Sequence, residues 1–131
     1  MILMDTCAII WDALNPSLLS EAATAAIGDA DQNGALIISD ISIWEISMLV
    51  KKKRLMVNTT AAHFINLFLQ SRNVSVQSIS PEIAEMSVNF NAEINNDPAD
   101  RIIAATSIIC NAKLVTADQN LRHSSVLDTL W

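Results

Sequence analysis

Residues 96–118 read NDPADRIIAATSIICNAKLVTAD, and the order of residue types in this stretch decides the fold. Asp97 ahead of Pro98 marks a helix start: the aspartate suits the N-cap, and proline suits the first turn, where its missing N–H has no partner to lose. Asp100 then falls at the third helical position. The apolar run Ile102 to Ile109 continues the helix, and the small residues Ala104, Ala105 and Ser107 let it lie close on a sheet. Lys113 to Thr116 is a short β-prone run, after which the chain turns at Ala117 and Asp118. In a parallel α/β sheet the end of such a strand and the start of such a helix share one rim, where ligands bind. The layout brings acids to that rim.

Outward from this stretch, strands and helices alternate with almost no filler. Ile2 to Met4 reads as a strand ending at Asp5-Thr6, and Ala8 to Leu14 as a helix stopped by Asn15-Pro16. Ser17 to Ala30 reads as a second helix, with Gly28 and Gly34 flanking its exit, and Ala35 to Ser39 as a second strand. A helix over about 42–53, another over 60–70, a strand over 74–78 and a helix over 81–90 follow. After the acidic helix and its strand, a short turn over 119–122 leads to a last strand over 126–130. Strands spaced this regularly by helices need crossover connections, which predicts an α/β fold with a mainly parallel central sheet flanked by helices on both faces.

At 131 residues and 51% hydrophobic content, the chain suffices for one well-buried domain over 1–131 and is too short for two ordinary ones. Asp5 interrupts the first apolar run after four residues, so neither a signal peptide nor a membrane span is expected, and a cytoplasmic setting follows. Cys7 and Cys110 sit inside apolar runs rather than at metal-ligand spacing, and read as buried, reduced thiols. The net charge of −6 argues against broad attraction to nucleic acid or an anionic membrane. A polyanionic substrate would need cations, supplied by bound metal or by Lys51, Lys52, Lys53 and Arg54, which hold four of the eight basic residues. That basic run equally suits the C-terminus of a helix, whose dipole it complements.

Three further signals are acidic. Asp5 follows the apolar strand Ile2 to Met4 and sits where a strand enters a helix, a common N-cap position. Glu45 lies in Ser42-Ile43-Trp44-Glu45, the pattern of a capping box in which Glu at the third helical position bonds back to the cap amide. Ile41, Met48 and Leu49 nevertheless place Glu45 beside an apolar stripe, with no basic partner before Lys51. Asp118 ends a strand. Each acid has a structural explanation, but a parallel sheet can bring Asp5, Glu45, Asp100 and Asp118 together at its C-terminal rim. Two like charges about 4 Å apart repel by roughly 4 kcal/mol at an effective dielectric of 20. A hard divalent cation, Mg²⁺ or Mn²⁺, removes that repulsion and leaves positions for water and a phosphate.

The segments MDT at 4–6, ISIWEISML at 41–49, DPADRIIAATS at 97–107 and LVTAD at 114–118 together resemble the PIN-domain nucleases, most closely the VapC toxins of type II toxin-antitoxin pairs. The resemblance covers nearly the whole chain, including KRL at 53–55 and the hydrophobic ending in Trp131. It implies a PIN-like fold and a Mg²⁺- or Mn²⁺-dependent endoribonuclease, usually a homodimer, held inactive by a cognate antitoxin. It also implies that Asp5, Glu45, Asp100 and Asp118 form the catalytic metal site and that Thr6 and Thr116 help hold it. Asp97 belongs to the same motif, but its place before Pro98 favours capping over ligation.

Other chemistries fit less well. With glycine only at 28 and 34, neither a dinucleotide fingerprint nor a P-loop can be written. A haloacid-dehalogenase-type phosphatase would want a second Asp two residues after Asp5, where Cys7 stands. His63, beside Phe64, and His123, in a turn, have no paired nucleophile and read as structural. The alternatives left open are a non-catalytic PIN-like module that dimerises or binds a partner through the helices over 8–30 and 60–70, and a DNA-directed nuclease using the same acids.

Overall fold

The computed structural model describes residues 1–131. Five strands, β1 (Ile2–Met4), β2 (Leu36–Ser39), β3 (Val74–Gln77), β4 (Lys113–Val115) and β5 (Thr129–Leu130), form one sheet in the order β3-β2-β1-β4-β5. Every pairing is parallel, as strand-helix alternation requires. The helices are α1 (Thr6–Leu14), α2 (Glu21–Asn33), α3 (Asp40–Lys51), α4 (Ala61–Ser71), α5 (Pro81–Asn89), α6 (Pro98–Ile109) and α7 (Gln119–Arg122).

The central strands are buried on both faces, with side chains alternating between two cores. Met4, Leu36, Ile38 and Val115 point to a core completed by Ile9, Ile27, Ile46, Phe64 and Phe68 from α1 to α4. Leu3, Ile37 and Leu114 point the other way, to Ile94, Ile103, Ala104 and Leu121. Ala104 and Ala105 of α6 are fully buried, and the Ser107 hydroxyl donates to the Ala112 carbonyl at 2.7 Å. The small residues thus seat α6 closely on the sheet.

Element boundaries moved where caps outweighed periodicity. Asp5 is the N-cap of α1, which starts at Thr6 instead of Ala8. Pro16 opens only a 3₁₀ turn, Pro16–Leu18, and the second helix begins at Glu21 because Ser20 accepts from the Ala23 amide. It runs on through Gly28 to Gly34, whose left-handed φ of 65° ends it. Ser39 caps α3, so this helix starts two residues before Ser42 and ends at Lys51, with Lys53 left-handed. The last strand keeps only Thr129–Leu130 of the expected 126–130. No helix is long and apolar enough to cross a membrane.

At the C-terminal end of α4, the Arg72 guanidinium spans two carboxylates, Asp12 of α1 at 2.8 Å and Asp31 of α2 at 3.0 Å. It ties three of the four helices of one face, α1, α2 and α4, together. The Asp12 side chain is only 6% exposed, so removing the arginine strands a desolvated charge. Arg72→Ala is expected to lower unfolding stability by on the order of 3 kcal/mol, and Arg72→Met with Asp12→Leu to recover most of it. Denaturant titration of the three proteins measures both. Equal losses in the single and double variants would show that the charge pairing does not govern the effect.

Candidate active site

Starting from β1, the chain passes one way to β2 and β3 and returns to β4 and β5 on the other side, so the strand order reverses between β1 and β4. Loops leaving adjacent strands in opposite directions open a crevice at the C-terminal ends of those two strands. Asp5 directly follows β1, and Asp118 follows β4 by three residues. They share a cavity of about 380 Å³ with Thr6, Cys7, Trp11, Glu45, Leu49, Asp100 and Ala117. All four acids singled out from the sequence therefore line one cavity.

Each acid is held by a different device. Asp5 caps α1 by accepting from the Ala8 amide at 2.8 Å, and it is only 8% exposed. Asp118 caps α7, its Oδ1 accepting from the Leu121 amide at 3.0 Å, while its own amide donates to the Thr116 hydroxyl at 3.1 Å. Asp100 is half-buried in the first turn of α6, and its Oδ2 accepts from the Asn95 side-chain amide at 3.0 Å. Glu45 is half-buried too, but not as a capping-box residue. With Ser39 as the cap, Glu45 lies at the sixth position of α3, and Ser42 is an interior residue whose hydroxyl meets that of Thr6 at 2.9 Å. The capping-box reading is thus overturned by a serine three residues upstream.

Asp97 does cap α6, accepting from the Asp100 amide at 3.1 Å, and it lies outside the cavity lining. Lys51, Lys52, Lys53 and Arg54 are exposed at the end of α3 and just past it, also outside the lining. Cys7 corrects a second expectation: the residue is exposed at the cavity wall, because only α1 positions facing the sheet are buried. Its thiol is nevertheless desolvated and faces the acids, which together push it up to about 11.

The residues missed from the sequence are those that set the loop before α6. Arg101 follows Asp100, yet its guanidinium does not neutralise the site. It donates to the backbone carbonyls of Asn95, Phe90 and Ile94 at 2.7, 3.1 and 3.1 Å. Asn95, so held, reaches both Asp100 and the Asn120 side chain. An arginine beside a helix-opening acid gives no sign of this, because its long side chain can reach in several directions.

The electrostatics follow from this arrangement. Burial raises Asp5 to about 6, opposed by hydrogen bonds from Thr116 and the Ala8 amide and reinforced by Asp118 and Glu45. Asp100 is also raised to about 6, chiefly by burial, and Glu45 is raised by burial against a hydrogen bond from Thr6. No lysine, arginine or histidine lines the cavity. The donor set is hard oxygen throughout, apart from the protonated thiol, which suits Mg²⁺ or Mn²⁺. As placed, no three acidic, thiol or imidazole groups stand close enough together to hold a metal ion by themselves. A Mg²⁺ ion held here would therefore take few protein ligands and keep several waters, as Mg²⁺ commonly does.

A carboxylate whose folded pKa lies above its unfolded value favours folding while protonated and loses that contribution as pH rises through the folded value. For Asp5 the window runs from about 3.8 to about 6. In chelator, the parent protein is expected to gain stability from this group as pH falls from 7 toward 5, by on the order of 2–3 kcal/mol over the full window. Asp5→Asn is expected to be at least as stable as the parent at pH 7, since Asn caps nearly as well, and to lack that gain. Thermal melts of both proteins from pH 4.5 to 7.5 measure the difference; parallel pH profiles would remove Asp5 as a strained acid.

Comparison with known proteins agrees with this fold. The family model for the PIN domain matches residues 2–126. Ribonuclease VapC22 of Mycobacterium tuberculosis is 31% identical over 121 residues, spanning 92% of this chain and 89% of the relative. Among solved structures, VapBC2 from Rickettsia felis, bound to a DNA fragment from its promoter, superimposes with a TM-score of 0.73 at 20% identity, covering 99% of this chain and 98% of that one. FitAcB from Neisseria gonorrhoeae gives 0.67 at 19% identity, covering 100% and 97%. The parallel sheet, the acids at its switch point and the family match over nearly the whole length agree: the chain belongs to the PIN-domain family and is similar to the VapC ribonucleases within it.

Proposed function

We propose that residues 1–131 act as a single nuclease unit, a cytoplasmic VapC-like toxin that hydrolyses RNA phosphodiester bonds with Mg²⁺ or Mn²⁺ and is restrained by a cognate antitoxin. The observation that carries this reading is the convergence of Asp5, Glu45, Asp100 and Asp118 on one cavity with no protein cation to balance them. Acids placed only to cap or solubilise separate helices would have no reason to share a cavity.

In this reading Asp5 and Asp118, at the strand ends, together with Asp100 of α6 and Glu45 of α3, would hold the cation. The cation would supply an activated water and offset charge at the scissile phosphate. The remaining tasks belong to the chain itself. The Ala8, Leu121 and Asn95 donors each engage a carboxylate and fix its direction, as outer-shell partners do. Thr6, tied to Ser42 across α1 and α3, steadies Glu45, and Thr116 steadies Asp5 and the Asp118 backbone.

Exposed apolar side chains support a protein partner and a homodimer. Leu14, Leu67 and Met56 are 49, 50 and 78% exposed beside His63 on the α1–α4 side, and Val88 on α5 is 75% exposed. Lys51, Lys52, Lys53 and Arg54 have no acid partner and are free to approach phosphates.

The purified protein is expected to cut single-stranded or loop RNA in Mg²⁺ or Mn²⁺ and to stop in chelator. Asp118→Asn should lower kcat by about 100-fold or more, since even outer-shell changes at metal sites cost about 10–100-fold. Equal cutting in chelator, or by Asp118→Asn, would refute the proposed site. Neutralising residues 51–54 together should weaken RNA binding and flatten its salt dependence, by about 0.7 in log–log slope for each phosphate no longer neutralised. An unchanged slope would leave that run to helix termination.

A further inference from the structure

Beside the acidic cavity lies a second hollow of about 410 Å³, lined by Gln119, Arg122, His123, Thr129, Leu130 and Trp131. The two share a ridge. Trp11 lines the cavity and Trp131 the hollow, and their rings pack tilted with centroids 5.6 Å apart. On the other side, Asp118 lines the cavity and the next residue, Gln119, lines the hollow. Trp131 follows β5 as Asp118 follows β4 in a parallel sheet, so the two residues stand at the same rim.

The cations of the molecule give this hollow its chemistry. Of the four basic residues outside the 51–54 run, Arg72 is bound to Asp12 and Asp31, Arg101 to backbone carbonyls, and Lys113 stands 3.9 Å from Asp128. Arg122 alone has no such partner, and it is exposed one helical turn beyond Asp118. In a chain of net charge −6, a free arginine beside an acidic cavity is the group able to hold a phosphate next to the one being cut. Trp131 is half-buried, keeping part of its ring available to a base, and Gln119 is exposed with both a donor and an acceptor for a base edge.

We propose that this hollow is a nucleotide subsite: it takes one RNA residue flanking the scissile phosphate, with Arg122 on the backbone phosphate and Trp131 against the base. The proposal rests on the ribonuclease reading above and adds where the substrate strand runs. Trp131 makes the sequence-tolerant contact, since stacking accepts any base, and Gln119 and His123 bias which base is preferred.

The test uses single-stranded oligoribonucleotides cut by the full chain in Mn²⁺ or Mg²⁺, each carrying one abasic residue or one neutral methylphosphonate at successive positions around the cut. In the parent, an abasic residue at one flanking position is expected to raise KM at least about fivefold, and Trp131→Ala should raise KM similarly while becoming indifferent to that abasic residue. Trp131→Phe, which keeps a ring against Trp11, should retain most of the affinity and so separates stacking from misfolding. Arg122→Gln should raise KM about tenfold and lose its sensitivity to a neutral linkage at one position, with kcat changed less than about twofold. Independent, multiplicative losses at every position would overturn the subsite. So would RNA kinetics that ignore both residues while inhibition by an antitoxin depends on them, which would assign the hollow to the protein partner. If the parent cuts no RNA in either metal, the ribonuclease reading itself falls, an outcome distinct from failure of the subsite alone.

Discussion

Desolvation of carboxylates at the junction of β1 and β4, reinforced by their mutual repulsion, is the constraint on which the rest of the site depends. Asp5 is buried at the end of a central strand, where its ionised form is disfavoured, and Asp100, Glu45 and Asp118 share its cavity. A fold that places carboxylates in this way loses stability at neutral pH unless a cation balances them. Parallel pairing in the order β3-β2-β1-β4-β5 is what makes the concentration possible, since it turns the strand ends and helix starts of separate segments to one rim.

The acids are tolerated because three of them are anchored by donors that do not cancel their charge. Backbone amides at the starts of α1 and α7 hold Asp5 and Asp118, and the Asn95 amide holds Asp100. Arg101 serves the same end. It could have paired with Asp100, its neighbour in sequence, but its guanidinium is engaged by carbonyls of the 90–96 loop. The consequence is a braced loop that presents Asn95, and a cavity that keeps its negative charge.

Charge is distributed by role across the molecule. Arg72 joins helices far from the rim, Lys113 sits against an exposed aspartate, and the free cations are left at the end of α3 and beside the Trp11–Trp131 pair. A negative protein meeting a negative polymer gains little from its overall field, so local cations and aromatic surface must do the positioning.

Much of this was legible in the sequence. Alternating short apolar runs and helical segments implied a parallel sheet, because crossovers of that length permit little else. Asp-Pro before a helix, acids after apolar strands and an acid beside an apolar helical stripe identified all four cavity acids, since strand ends and helix starts fall on one rim in such a sheet. Helix starts were less legible: Ser20 and Ser39 cap the helices that the sequence suggested would begin at Ser17 and Ser42, because their hydroxyls are the ones that reach free amides. Only the tertiary structure decided that Cys7 is exposed, that Arg101 turns away from Asp100, and that Trp131 meets Trp11 from the far end of the chain. These depend on the direction of long side chains and on contacts between residues distant in sequence, and neither periodicity nor spacing encodes them.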